Sequence, residues 1–138
     1  MHNKSYTVKA TVLSGRSYID VERKARAHYK TIASRTRRNP YIRSKYFKKD
    51  KIFLKLFWEH VMQKHEGDRK RRLKYYTCAI ELLRNTTLSP DTKMNPNGAR
   101  EWVHRFYGRT STGLRFCVQV KHDVKSGNKF FMSVFETK

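Results

Sequence analysis

The hydrophobic period of this chain shortens near residue 100, and no other feature narrows the fold as much. Before that point apolar residues recur at helical spacing, about every 3.6 positions, and after it they alternate. Segments 100–109, 114–122 and 129–136 read as three strands. Between the first two, Ser111-Thr112-Gly113 fits a three-residue hairpin loop with glycine in the left-handed position. Lys125-Ser126-Gly127-Asn128 supplies the second turn. A sheet with one apolar face needs a partner layer, and the helical segments upstream provide it. The expected class is α+β, with helices followed by a C-terminal antiparallel sheet packed on them and a basic N-terminal region.

The hairpin loop sets a register. Thr110 opposes Leu114, so Phe106 pairs with Val118, His104 with Val120 and Trp102 with His122. Their face is mostly apolar. The opposite face carries Arg105, Tyr107, Arg109, Arg115, Cys117, Gln119 and Lys121. On the third strand Phe130, Met132 and Val134 are assigned to the core face, and Phe131, Ser133 and Phe135 to the polar one; a slip of one residue would exchange the sets. Arg109 and Arg115 then face each other, with Arg105 further along. Like charges directly opposite are destabilising, and an anion between them relieves the repulsion. A phosphate site is therefore expected on this face, against the plainer reading of a charged, solvated sheet surface.

Upstream, Asp50 is a candidate N-cap for a helix reaching about His65. Its apolar residues cover most of the circumference, as in a central buried helix. Gly67 suits a left-handed C-cap, and Asp68 caps a second helix to about Asn85, with Leu73, Tyr76, Ile80 and Leu83 on one face. Ser89-Pro90-Asp91 and Asn95-Pro96-Asn97-Gly98 bound an irregular connection. Nearer the N-terminus, 5–13 alternates like a strand and 19–34 suits a short basic helix. Residues 35–49 are the most basic, with Arg35, Arg37, Arg38, Arg43, Lys45, Lys48 and Lys49 interleaved with Tyr41, Tyr46 and Phe47. The expected division is a basic strand, helix and arm over 1–45 and a helical plus antiparallel-sheet part over 46–138.

Thirty-two Lys and Arg oppose eleven Asp and Glu, a formal charge of +21. Such an excess is tolerated best against a polyanion, and the 13% aromatic content offers faces on which bases stack, so nucleic acid is the expected partner. The longest apolar run, Ile52 to Trp58, is broken by Lys55 and too short for a bilayer, and Met1-His2-Asn3-Lys4-Ser5 has no apolar signal core. A cytoplasmic chain without membrane contact is expected. Cys78 and Cys117 form no CxxC and read as reduced, packed thiols, while His60 and His65 are spaced too unfavourably on a helix to share a metal. No metal or cofactor is implied. The phosphate-cradling glycine motifs, GxSxG and HExxH are all missing, which removes nucleotide triphosphate chemistry and the common hydrolase templates.

The succession Arg72-Leu73-Lys74-Tyr75-Tyr76, Glu81-Leu82-Leu83, His104-Arg105-Phe106-Tyr107-Gly108-Arg109-Thr110, Phe116-Cys117-Val118-Gln119-Val120-Lys121 and Phe130-Phe131-Met132-Ser133-Val134-Phe135 resembles the phage- and toxin-associated members of the barnase–EndoU–colicin–RelE-like ribonuclease superfamily. The resemblance covers about residues 45–136. It implies metal-independent RNA cleavage by attack of the 2′-hydroxyl on the neighbouring phosphate, in a toxin or effector of a phage or mobile element. It assigns catalysis to His104, Arg105, Lys121 and Ser133, and phosphate or RNA contacts to Tyr107, Arg109, Arg115, Gln119, Arg37, Arg38, Arg43 and Lys45. An acidic antitoxin or immunity protein is a compatible partner. His104 falls on the apolar face in the register above, so a structural role for it stands beside the catalytic one. The other function the residues allow is a non-catalytic, basic nucleic-acid-binding accessory protein.

Overall fold

The computed structural model describes residues 4–95 and 100–138. Its elements are β1 (Tyr6–Thr7), α1 (Tyr18–Thr36), β2 (Tyr41–Ser44), β3 (Asp50–Phe53), α2 (Lys55–Met62), α3 (Glu66–Leu73), α4 (Tyr76–Asn85), β4 (Asp91–Met94), β5 (Glu101–Arg109), β6 (Arg115–Asp123) and β7 (Lys129–Thr137). All the strands join one mixed sheet in the order β1-β5-β6-β7-β3-β2, with β4 also on β5, and the sheet curls into a half-barrel. The expected succession of helices and then an antiparallel sheet is thereby corrected. Strands occur before, between and after the helices, and β1 and β3 run parallel to β5 and β7. Strands from both sides of residue 45 lie in the same sheet, because β2 pairs with β3 and β1 with β5.

The difference begins at Asp50. Instead of capping a helix, residues 50–53 extend as β3, with Ile52 buried and Lys51 outward. Asp50 reaches Lys129 Nζ at 2.7 Å. Only Lys55–Met62 of the expected central helix is helical. The second expected helix breaks at Lys74–Tyr75 into α3 and α4. Tyr75 and Tyr76 are both fully buried, whereas one straight helix would point such neighbours about 100° apart. The basic stretch 35–49 is built into the fold as well. Tyr46 and Phe47 pack edge-on against Phe106 at 5.6 and 5.9 Å, so they are not free stacking surfaces.

The C-terminal hairpin follows its expected register, from Trp102 opposite His122 to Arg109 opposite Arg115. Gly113 has φ +92, and Thr110 N donates to Leu114 O at 2.8 Å. On β7 the expectation holds only in part. Val134 opposes Val118 and Ser133 opposes Gln119, but Val120 then pairs with Phe131, leaving Met132 as an extra bulged residue. The bulge turns Phe131 into the core, where it stacks on Phe57 at 4.4 Å, and sends Phe130 to the outer face. Strict alternation had placed these two residues the other way round. Pro96, Asn97 and Gly98 of the expected turn lie outside the described residues, and β4 occupies part of the expected irregular connection. Among the described residues, no helix is long and apolar enough to cross a membrane.

Candidate functional site

Directly opposed residues in a sheet share a face, so Ser133, Gln119 and Arg105 form a row across β7, β6 and β5. Ser133 Oγ lies 2.6 Å from the Gln119 amide. With the amide turned so that its oxygen meets the guanidinium, Gln119 accepts from Arg105 Nε at 3.0 Å and Nη2 at 3.2 Å while its N–H donates to Ser133 Oγ. That orientation satisfies all three side chains and leaves the Ser133 hydroxyl proton for another acceptor. The row continues one step towards Lys121, which stands opposite Val103.

Two walls make a groove of this floor. Beyond its short pairing with β3, β7 is flanked by α2 and α3, and Arg72 Nη1 donates to Val134 O at 3.4 Å. His60 on the last turn of α2, with Gln63 and Lys64 just after it, joins Arg72 around a cavity of about 520 Å³ above Ser133, Gln119 and Arg105. On the other side β4 contributes Asp91, Lys93 and Met94 to a cavity of about 260 Å³, with Glu101 and Lys121. Arg105, Gln119 and Met132 border both, so the two cavities adjoin over one floor.

Cations outnumber carboxylates in this groove, and the ion pair between Lys121 and Glu101 is weak. Lys121 Nζ meets Glu101 Oε1 at 3.0 Å, and Asn95 Nδ2 donates to Glu101 Oε2 at 3.0 Å. These bonds hold the Glu101 carboxyl below the usual range. Both partners of the pair remain partly exposed, so a phosphate can take Lys121 at small cost. Tyr107 donates to Asp91 Oδ2 at 3.1 Å, and desolvation followed by that bond pushes its phenol up. It is a neutral donor, not a base. Burial pushes Cys117 up to about 12 and Cys78 up to about 11, and both are free, packed thiols without thiolate character.

The residues expected from sequence separate into groups. Arg105, Gln119, Lys121 and Ser133 come together on the groove floor. Tyr107 lies on the same face one row away. Arg109 and Arg115 do face each other, at the exposed hairpin end, and line neither cavity. Arg37, Arg38, Arg43 and Lys45 lie between the end of α1 and the turn after β2, away from both cavities. His104 is on the other side of the sheet, 8% exposed. Its Nδ1 is 2.7 Å from Thr92 Oγ1 and its Nε2 3.0 Å from His122 Nδ1. Burial, and then His122 and Lys129 nearby, lower its pKa to about 4, so it is a neutral structural imidazole outside the groove.

His60, Lys64 and Arg72 were missed as site residues. His60 lies in the last turn of α2 and Lys64 just beyond its end, and their spacing of four is visible in the sequence. Arg72 gave no such signal, since its place depends on how α3 meets β7. Among the described residues, no group of three metal-ligating side chains converges. No known family model, curated protein or solved structure matches this chain.

Proposed function

We propose that this groove binds an RNA phosphodiester and promotes its cleavage by the adjacent 2′-hydroxyl. The observation that supports this reading best is the Ser133–Gln119–Arg105 row, held by its own hydrogen bonds beneath Arg72 and Lys64 and beside Lys121. Arg105 and Lys121 neutralise the non-bridging oxygens, and the Ser133 hydroxyl donates to one of them as negative charge grows. The 2′-oxygen bonds to phosphorus while the 5′-oxygen leaves, giving a 2′,3′-cyclic phosphate. One proton must leave the 2′-hydroxyl and one must reach the 5′-oxygen. His60, the imidazole that borders this cavity, takes the first proton in place of His104, and a solvent water supplies the second to the 5′-oxygen. A toxin or effector role, with an acidic partner covering the groove, belongs to the same proposal.

Purified protein incubated with varied RNAs in EDTA tests it. Cleavage with cyclic-phosphate ends is expected, and Arg105→Ala or His60→Ala should lower the rate by about 100-fold or more with melting temperature kept. Tight binding without any cleavage overturns it in favour of a non-catalytic accessory protein. The seclusion of His104 favours that second reading.

A further inference from the structure

A second row crosses the same face of the sheet as the groove. Tyr41 on β2 opposes Phe53 on β3, Phe53 opposes Phe130 on β7, and Phe130 opposes Lys121 on β6. Core residues alternate with these, Ile42, Ile52 and Phe131 being buried on the inner side. The outer rings of Tyr41, Phe53 and Phe130 are each only half-buried. They touch in sequence, Tyr41 to Phe53 at 6.2 Å and Phe53 to Phe130 at 5.9 Å. The outward face of such a sheet is normally polar, so a contiguous aromatic row there calls for an occupant.

Charge says which occupant. Arg43 and Lys51 oppose each other beside this row, both exposed, and their side chains lie over the Tyr41 ring at 5.4 and 4.6 Å. No side chain in the two rows formed by Tyr41, Phe53 and Phe130 and by Arg43 and Lys51 is acidic. Aromatic faces flanked by exposed cations suit unpaired bases with their phosphates; a base takes the place of the Lys51 ammonium over Tyr41, and the ammonium moves to the backbone. The row starts at Lys121 on the groove floor and ends at the β2 edge. At about 4.8 Å per strand its three steps span about 14 Å, enough for two or three nucleotides.

We infer that Tyr41, Phe53 and Phe130 form a stacking platform for single-stranded RNA leaving the groove, with Arg43 and Lys51 on its phosphates. This rests on the groove being an RNA site, and it names the substrate class as single-stranded. A duplex keeps its bases stacked on each other and cannot use the rings.

The test is fluorescence anisotropy with a labelled, uncleavable 2′-O-methyl oligouridylate of about ten nucleotides, against a blunt duplex of equal length. Wild type should prefer the single strand. Tyr41→Ala and Phe53→Leu should each weaken single-strand binding about 5-fold or more, leaving duplex binding and melting temperature unchanged, while Phe53→Tyr retains affinity. Equal affinity for strand and duplex, or ring variants without effect, overturns the inference. So does a wild-type dimer in sedimentation that Phe53→Leu dissociates, which would assign the row to a second copy of the chain. Ring-dependent binding by a protein that never cuts RNA upholds the platform and removes only the cleavage proposal. Cleavage that gains nothing from RNA longer than a dinucleotide, with ring variants silent, removes the platform alone.

Discussion

At the scale of single residues, Gly108 shows how closely sheet and helix approach. A Cβ there would lie 2.5 Å from Phe116 Cζ and 2.6 Å from Leu82 Cδ1. Gly108→Ala should therefore destabilise the protein by about 1–3 kcal/mol, seen as a lower melting temperature by circular dichroism. Ser133 tests the opposite property, function without stability. It is half-buried and, among the described residues, its hydroxyl bonds to the Gln119 amide alone, so Ser133→Ala should leave the melting temperature nearly unchanged. On the proposed mechanism the same change slows cleavage about 10-fold or more in a gel assay, and Ser133→Thr restores much of it.

Among the elements, β4, β5 and β6 are tied by the chain Thr92–His104–His122, with Phe47 edge-on to both imidazoles. The buried His104 titrates near 4 in the fold, against about 6.5 in the unfolded chain. Between those values the unfolded chain binds the extra proton. The stability that the neutral imidazole allows is thus complete above about 6.5 and lost as pH falls towards about 4. His122 and Lys129 act on His104 in the same direction as burial, while Asp50 and Asp123 work against the fall at the neighbouring His122. Urea unfolding followed from pH 7 to pH 4 should show a fall in midpoint that is shallower in His104→Gln. An equal fall in both proteins would remove His104 as its source.

The whole molecule carries +21 with only part of its cation excess gathered at the groove and the aromatic row. If Lys64, Arg72, Arg105, Lys121, Arg43 and Lys51 each neutralise about one phosphate, log affinity for single-stranded RNA should fall with log salt at a slope of about −4. Arg43→Gln with Lys51→Gln should make the slope shallower by about 1.4. Anisotropy titrations at several salt concentrations measure both. A slope that the double variant leaves unchanged would show that the strand does not reach the β2 edge.

Local chemistry determined the hairpin. Gly113, the alternation of 100–122 and the pairing of Arg109 with Arg115 all follow from residues within a few positions of one another. The same alternation brought Arg105, Gln119, Lys121 and Ser133 to one face. What the chain did not announce were events that need a distant partner. Asp50–Phe53 became a strand because β7 offered an edge to pair with, and the bulge at Met132 exchanged Phe130 and Phe131 because Phe57 takes Phe131 in the core. The groove wall of His60, Lys64 and Arg72 exists only because α2 and α3 lie along β7. Periodicity reports which side of an element is apolar; which neighbour meets that side is decided by packing across the whole chain.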